Sequence, residues 1–150
     1  DEIWQAMPPR AGDDGRNVVL NEMNKPFTEY ALDGAAMERW ERMIQVRNAV
    51  NGALEEARAE KKLGKSLEAA VELTVPAEDA FLAGMDGETL ADLLIVSKAD
   101  VKVGGELSVQ VRNAQGEKCE RCWKVLSSVG ADSEHPTLCK RCAAVVRKIV

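Results

Sequence analysis

The four cysteines of this chain lie near its C-terminal end, in two C-x-x-C pairs. The pairs are Cys119 with Cys122 and Cys139 with Cys142, and sixteen residues separate the two pairs. This spacing is typical of zinc sites built from four cysteines. Two residues between cysteines form a tight knuckle that aims both sulfurs at one point, and a second knuckle completes a tetrahedron. Residues 117–150 are therefore predicted to fold around one structural zinc ion that these four cysteines bind.

Another interpretation of a C-x-x-C pair is a redox dithiol, which normally occurs singly on a thioredoxin-like fold. Two pairs at this spacing favour zinc, and a closed four-cysteine site has no position for water, which favours a structural role over a catalytic one. His135, the single histidine, is interpreted as a loop residue. Because the cysteines cluster instead of being distributed along the chain, a reducing compartment, the cytoplasm, is expected.

Charge is distributed unevenly along the 150 residues. The net charge of −5 argues against a generally basic surface for nucleic acids, but residues 117–150 contain seven Lys or Arg and only four acids. With a zinc ion on four thiolates, this tail keeps a charge of about +1. The cations there are predicted to meet RNA phosphates, and a tryptophan among them could stack on an unpaired base. The candidate RNA-binding residues are Arg121, Trp123, Lys124, Lys140 and Arg141.

Several of these side chains also have a purely structural interpretation. Trp123 beside the knuckle is expected first to shield the zinc, with base stacking as the alternative, whereas RNA contact is preferred for the cations. Arg47 interrupts an apolar helical stripe and is interpreted as a snorkelling or paired arginine. Trp4 and Trp40 are expected in the core.

The fold class predicted for the whole chain is α+β. Residues 1–34 are rich in turn-forming residues and are expected to be irregular, with a short helix at 3–7. A long helix over about 35–62 is predicted from apolar steps of three and four residues, with Asp33 as its cap and Gly64 as its stop. Its predicted apolar stripe consists of Met37, Trp40, Ile44, Arg47, Val50, Leu54 and Ala57.

A small α/β module is predicted over 67–116. Its expected strands cover 69–75, 94–97 and 107–112, its short helices cover 76–83 and 87–93, and Gly104-Gly105 forms a turn. The zinc module is expected to end in a helix over about 140–149.

The residues give no sign of a catalytic site. A single histidine excludes every motif that needs two, and no GxGxxG occurs. Gly64-Lys65-Ser66 ends like a phosphate-binding loop, but Ala59 stands where the first glycine of that loop is required. No stretch approaches the roughly 20 apolar residues of a membrane span.

Three segments, in this order and spacing, resemble the C-terminal part of bacterial isoleucyl-tRNA synthetases. The resemblance covers nearly the whole chain. One departure from it is Lys65, which stands where a small polar residue is expected. The segments are Glu2-Ile-Trp-Gln-Ala-Met-Pro8; Val46-Arg-Asn-Ala-Val-Asn51 continuing through Leu54-Glu-Glu-Ala-Arg58 to Lys62-Leu-Gly-Lys-Ser-Leu-Glu-Ala69; and Gly116-Glu-Lys-Cys-Glu-Arg-Cys-Trp123 with Cys139-Lys-Arg-Cys142.

This resemblance implies a class I synthetase that joins isoleucine to its tRNA with ATP. Catalytic and editing domains would lie upstream, since neither H-x-G-H nor K-M-S-K-S occurs here, and a first residue other than Met leads us to expect part of a longer chain. The implied divisions are the end of a helical anticodon-binding domain (1–66), the α/β module (67–116) and the zinc module (117–150). The implied partners are tRNA(Ile) and the upstream domains of a monomeric parent.

Two other functions remain open on the sequence. The spacing of the four cysteines also resembles the zinc finger of Fpg-family DNA glycosylases, although residues 1–116 show nothing of a glycosylase and the chain is acidic. Alternatively, the zinc ion could have a purely structural role in holding the C-terminal tail, while the acidic surface binds another protein.

Overall fold

A computed structural model describes residues 1–149, which combine helices with two small sheets, so the predicted α+β class is confirmed. The chain divides into two compact units, Asp1–Gly34 and Ala35–Val150. The finer division into three modules remains a prediction. Among the described residues, no helix has both the length and the hydropathy needed to cross a membrane.

The first unit is irregular apart from short helical turns. Helix α1 spans Glu2–Ala6, and single 3-10 turns cover Val18–Leu20 and Thr28–Tyr30. The Trp4 indole Nε1 donates to the backbone oxygen of Asp14 at 3.1 Å, and this side chain is half-buried. The short helix expected near residues 3–7 is therefore present.

Helix α2 spans Gly34–Ala59 and contacts the core with only part of its predicted stripe. Its buried residues are Met43, Val46, Val50, Leu54 and Ala57. In the first half of the helix the prediction is wrong, because Met37, Trp40, Ile44 and Arg47 are exposed or only partly covered. The true face uses 43 and 46 instead of 44 and 47, a rotation of one residue that three- and four-residue steps alone do not resolve.

Helix α2 ends earlier than expected, in a motif formed around Lys61. Lys61 has a φ of 58°, its N–H donates to Arg58 O at 2.9 Å, and the N–H of Lys62 donates to Ala57 O at 2.9 Å. These two bonds form a Schellman ending, in which the left-handed position is usually glycine. The predicted stop at Gly64 is therefore wrong, because the left-handed residue that ends the helix is Lys61.

The larger sheet places strand β1, Ala69–Val75, between β2, Lys98–Val103, and β3, Ser108–Asn113. Strand β1 runs parallel to β2 and antiparallel to β3. The connection from β2 to β3 must pass the end of β1, and Gly104 makes that crossing with a φ of 146° while its N–H donates to Val75 O at 2.9 Å. The predicted strands over 69–75 and 107–112 are confirmed.

The strand predicted over 94–97 is wrong. Leu94 is the last residue of helix α3, Gly87–Leu94, and Ile95 follows in the left-handed conformation with a φ of 56°. The apolar run 94–96 ends a helix and turns into β2, which begins at Lys98, because a short apolar run does not distinguish a buried helix end from a strand.

The core of the second unit lies between α2, α3 and one face of the β2-β1-β3 sheet. At its edge, the Asp79 side chain is completely buried within a 3-10 helix, Ala77–Leu82. Arg42 of α2 donates to both Asp79 oxygens, from Nε at 2.8 Å and from Nη2 at 2.5 Å. This bidentate pair satisfies the buried carboxylate and raises the pKa of Arg42.

The zinc module follows as a hairpin and a short helix. Strand β4, Glu117–Lys118, pairs antiparallel with β5, Val125–Leu126, and helix α4 covers Lys140–Val146. The C-terminal helix expected over 140–149 is therefore present but shorter.

Candidate metal centre and nucleic-acid interface

The two cysteine pairs converge on one point. Their four Sγ atoms all lie within 4.8 Å of one another, and the Sγ atoms of Cys122 and Cys139 are 3.9 Å apart. A tetrahedral zinc ion with Zn–S bonds of about 2.3 Å holds its sulfurs about 3.8 Å apart. Three of the four cysteines are buried and Cys122 is half-buried. The donor set and its spacing therefore fit one closed structural zinc ion.

Backbone hydrogen bonds shape each knuckle so that its sulfurs point inward. In the first knuckle, the N–H of Trp123 donates to Cys119 O at 2.8 Å and the N–H of Cys119 donates to Lys124 O at 2.9 Å. The second begins helix α4, where the N–H of Ala143 donates to Cys139 O at 2.9 Å. The knuckles meet directly, because the N–H of Cys139 donates to the Cys119 sulfur at 3.3 Å.

The protein environment alone shifts the pKa values of Cys119, Cys122 and Cys139 in different directions. Burial raises the pKa of Cys119, but backbone N–H groups of Cys122, Cys139 and Arg121 outweigh it and bring the pKa to about 6. Burial raises the pKa of Cys139 to about 12 and also raises that of Cys122. A bound Zn²⁺ supplies the positive charge that stabilises all of them as thiolates.

Gly116, at the start of the hairpin, allows two backbone segments to approach closely. Its φ is 117°, and a Cβ at this position would lie 2.3 Å from Leu126 C and 2.5 Å from Ser127 N. Only glycine combines this backbone conformation with the absent side chain that the approach requires.

Trp123 follows the first knuckle directly and is largely exposed. The apolar side chains around the cysteines are Leu126, Val129 and Leu138, whereas Trp123 is 57% exposed. Its backbone has the left-handed φ of 65°, and Lys118 Nζ lies 5.7 Å from the centre of its ring. Leu126, Val129 and Leu138 pack around the cysteines, while more than half of the Trp123 side chain is open to solvent, so its ring is accessible to a ligand.

A shallow notch of about 220 Å³ adjoins the exposed ring. One wall consists of Lys118 and Trp123 of the zinc hairpin, and the other consists of residues 65–68, which connect α2 to β1. We call this feature the Trp123 notch. Sequence reasoning missed Lys118 and Lys65 as parts of it. The pairing of Lys118 with Val125 in a hairpin around the first C-x-x-C is the signal that places Lys118 beside Trp123.

The other predicted RNA-binding residues have different surroundings. Lys124 is buried, and its Nζ lies 2.5 Å from Asp92 Oδ1 on α3. Arg141 is half-exposed, with Nη1 3.5 Å from Asp92 Oδ2. Arg121 Nη1 lies 3.7 Å from the Cys142 sulfur, and Lys140 is exposed. The structure thus turns Lys124 inward and leaves the other cations at the surface around the knuckles.

Comparison with known proteins agrees with this architecture. Residues 116–145 match the family described as the zinc finger found in FPG and IleRS. Isoleucine–tRNA ligases of Moorella thermoacetica, Dichelobacter nodosus and Neisseria meningitidis serogroup A are 41%, 42% and 48% identical to the chain. These alignments cover 99%, 95% and 95% of the chain, respectively.

The resemblance to isoleucyl-tRNA synthetases is confirmed. It extends well beyond the zinc finger, since the alignments include nearly every residue before position 116. The same alignments cover only 17%, 15% and 15% of those three relatives, so the chain spans a small part of the length of the ligases it matches. The zinc-finger match and the four converging cysteines together establish a single structural zinc ion as the cofactor.

Proposed function

We propose that this chain is the C-terminal, tRNA-binding part of an isoleucyl-tRNA synthetase. It supports recognition of the tRNA(Ile) anticodon, while ATP-dependent aminoacylation takes place in another part of the same cytoplasmic, monomeric polypeptide. The observation that carries the tRNA-binding role is the Trp123 notch, in which an exposed indole stands beside a lysine on the zinc hairpin.

The indole face of Trp123 suits an unpaired nucleotide base. An exposed tryptophan is energetically unfavourable, because its apolar ring stays in contact with water. Here the backbone of the residue also adopts a conformation that non-glycine residues seldom use. A base that stacks on the ring removes this apolar face from water and contributes about 1–3 kcal/mol. Loops of RNA offer such unstacked bases, whereas duplexes do not.

The surrounding cations suit the phosphates on either side of that base. Lys118 lies over the ring and Lys65 lies across the notch, while Arg121, Lys140 and Arg141 lie around the knuckles. Phosphate contacts of this kind position the strand without reading its sequence. We assign Lys124 a supporting role instead, because its ammonium group is buried against Asp92.

The test is a salt titration of binding by the zinc-loaded chain. The ligands are isoleucine tRNA, the same tRNA with a changed anticodon, and duplex DNA. We expect the unchanged tRNA to bind best. We expect Trp123→Ala to weaken that binding about tenfold, as the loss of one stacked base predicts.

Matched variants separate the stacking contact from general effects of mutation. Trp40 is 47% exposed on α2, and Trp40→Ala is expected to leave affinity unchanged. Lys118→Ala should reduce the slope of log affinity against log salt by about 0.7, the value for one phosphate contact on a single strand. Lys140→Ala combined with Arg141→Ala should reduce this slope further. Equal affinity of the wild type and Trp123→Ala would remove the notch from the binding site.

A second candidate function follows from the zinc-finger family, whose description includes FPG. A preference for duplex DNA over both tRNAs would favour a DNA-binding finger. An absence of nucleic-acid binding at low salt in a folded, zinc-loaded sample would favour a purely structural zinc module.

A further inference from the structure

The two walls of the Trp123 notch come from separate parts of the chain. The distance between the walls must therefore be fixed by a tertiary contact. Residues 65–68 belong to the connection between α2 and β1, whereas Lys118 and Trp123 belong to the zinc hairpin. About 50 residues of sequence lie between the walls. A stacked base and its phosphates need both walls at a fixed distance.

The Ser97 hydroxyl group connects these walls. Its Oγ donates to the backbone oxygen of Leu67 at 2.5 Å and accepts from the backbone N–H of Val125 at 2.7 Å. Leu67 lines the notch on one side. Val125 pairs with Lys118 in the hairpin on the other side. A single oxygen atom therefore joins one wall to the backbone that carries the other.

The hydrogen bonds of this bridge are shielded from water. Ser97 is 4% exposed, and its own N–H donates to Ala69 O at 2.9 Å, at the start of β1. Hydrogen bonds shielded from water are stronger than exposed ones, and a buried N–H without a partner is costly. Without the hydroxyl, the N–H of Val125 would lose its acceptor. The hairpin would then have to move for this N–H to form another hydrogen bond.

Asp92 on α3 provides a second anchor for the same zinc module. Its Oδ1 accepts from Lys124, which follows the first knuckle, and its Oδ2 lies 3.5 Å from Arg141 in the second knuckle. One carboxylate thus holds a cation from each knuckle.

We propose that Ser97 is a positioning residue for RNA recognition, setting the width of the Trp123 notch through its bridge from Leu67 to Val125, with Asp92 holding the zinc module on α3. This proposal rests on the proposed function. Neither residue touches RNA, so each acts through the placement of Trp123 and Lys118.

The experiment compares Ser97→Ala, Ser97→Thr and Ser108→Ala in the zinc-loaded chain. Ser97→Ala is expected to weaken binding of isoleucine tRNA about fivefold, equivalent to one net hydrogen bond, with an unchanged salt slope because no phosphate contact is lost. Ser97→Thr keeps the hydroxyl and should restore affinity. Ser108 is an exposed serine on β3, and its substitution should have no effect. Asp92→Asn should also weaken binding with an unchanged slope.

A second readout measures the notch without RNA. In a background with Trp4→Phe and Trp40→Phe, fluorescence reports Trp123 alone, and amide exchange reports Val125. Ser97→Ala should change acrylamide quenching of Trp123 and speed exchange at Val125, while the amides of Val71 and Leu73 remain protected. This protection also shows that the variant is folded and that the change is local.

The two readouts separate the positioning role from the proposed function. If the wild-type chain binds no RNA while Ser97→Ala still alters Trp123 and Val125, the tRNA function fails, whereas the role of Ser97 in setting the width of the notch stands. If Ser97→Ala leaves quenching, exchange and affinity at wild-type values, the positioning role is overturned. A reduced salt slope in Ser97→Ala would also overturn it, because a direct phosphate contact would then be involved.

Discussion

At the residue scale, the zinc hairpin contains two residues with a positive φ, and Gly116 is the more constrained of them. Trp123 uses a left-handed φ as well, but its side chain is largely exposed at the edge of the Trp123 notch. Gly116 instead faces the backbone of Leu126 and Ser127 at distances that real Cβ atoms do not reach. The zinc hairpin therefore requires a residue without a side chain at position 116.

We predict that Gly116→Ala lowers the free energy of unfolding of the zinc-loaded chain by about 3 kcal/mol or more, since it combines a backbone clash with a strained φ. The measurement is urea denaturation, with zinc stoichiometry determined in parallel. Gly52→Ala is the matched control, because this glycine lies inside α2, where an added Cβ would meet nothing within 4 Å. That variant should gain about 0.5–1 kcal/mol. Similar losses in both variants would contradict the close-approach argument.

At the element scale, helix α2 is fastened to the 3-10 helix Ala77–Leu82 by an ion pair as well as by apolar packing. Asp79 is completely buried and accepts two hydrogen bonds from Arg42. A buried carboxylate that loses its cation keeps its desolvation cost without any compensation. This joint therefore tolerates removal of Arg42 poorly.

We predict that Arg42→Ala lowers the thermal midpoint by roughly 8 °C, because it leaves Asp79 buried without its partner. The measurement is a circular dichroism melt at neutral pH. Arg47→Ala is the control, since Arg47 is an exposed arginine on the same helix, and it should change the midpoint little. Equal shifts for the two arginines would show that the buried pair contributes no more than surface charge.

At the scale of the whole molecule, residues 35–149 have two centres of stability of different kinds. One is the apolar core between the helices and the three-stranded sheet, and the other is the cluster of cysteines with Leu126, Val129 and Leu138. Three partly buried aliphatic side chains form too small a core for an independent module, so the zinc ion supplies most of its folding energy.

We predict that a chelator unfolds the zinc module while the larger sheet remains folded. Amide exchange should accelerate at Cys119 and Val125, whereas Val71 and Leu73 in β1 should keep their protection. Because each ligand thiolate must lose a proton, zinc affinity should also fall as the pH is lowered. Protection at Val125 that survives complete zinc removal would show that packing alone holds the hairpin.

Much of this protein is determined by short-range patterns in its sequence. The two C-x-x-C pairs predict the metal site because the geometry of a knuckle depends on residues close together in the chain, and the alternation in 69–75 predicts β1. The length of α2 is nearly correct for the same reason, since its apolar steps recur over the whole helix. Even the similarity to isoleucyl-tRNA synthetases follows from motifs at fixed spacing.

The tertiary structure alone decided which faces and side chains are used. In the first half of α2 the buried side is rotated by one residue from prediction, because the packing partner, not the helix period, selects the stripe. Trp123 and Lys124 are adjacent in the same basic segment, yet the tryptophan faces solvent and the lysine turns inward to Asp92. The bridge from Leu67 through Ser97 to Val125 joins residues about 30 positions apart on each side. Such contacts depend on how distant segments meet in space, and no local pattern in the sequence encodes them.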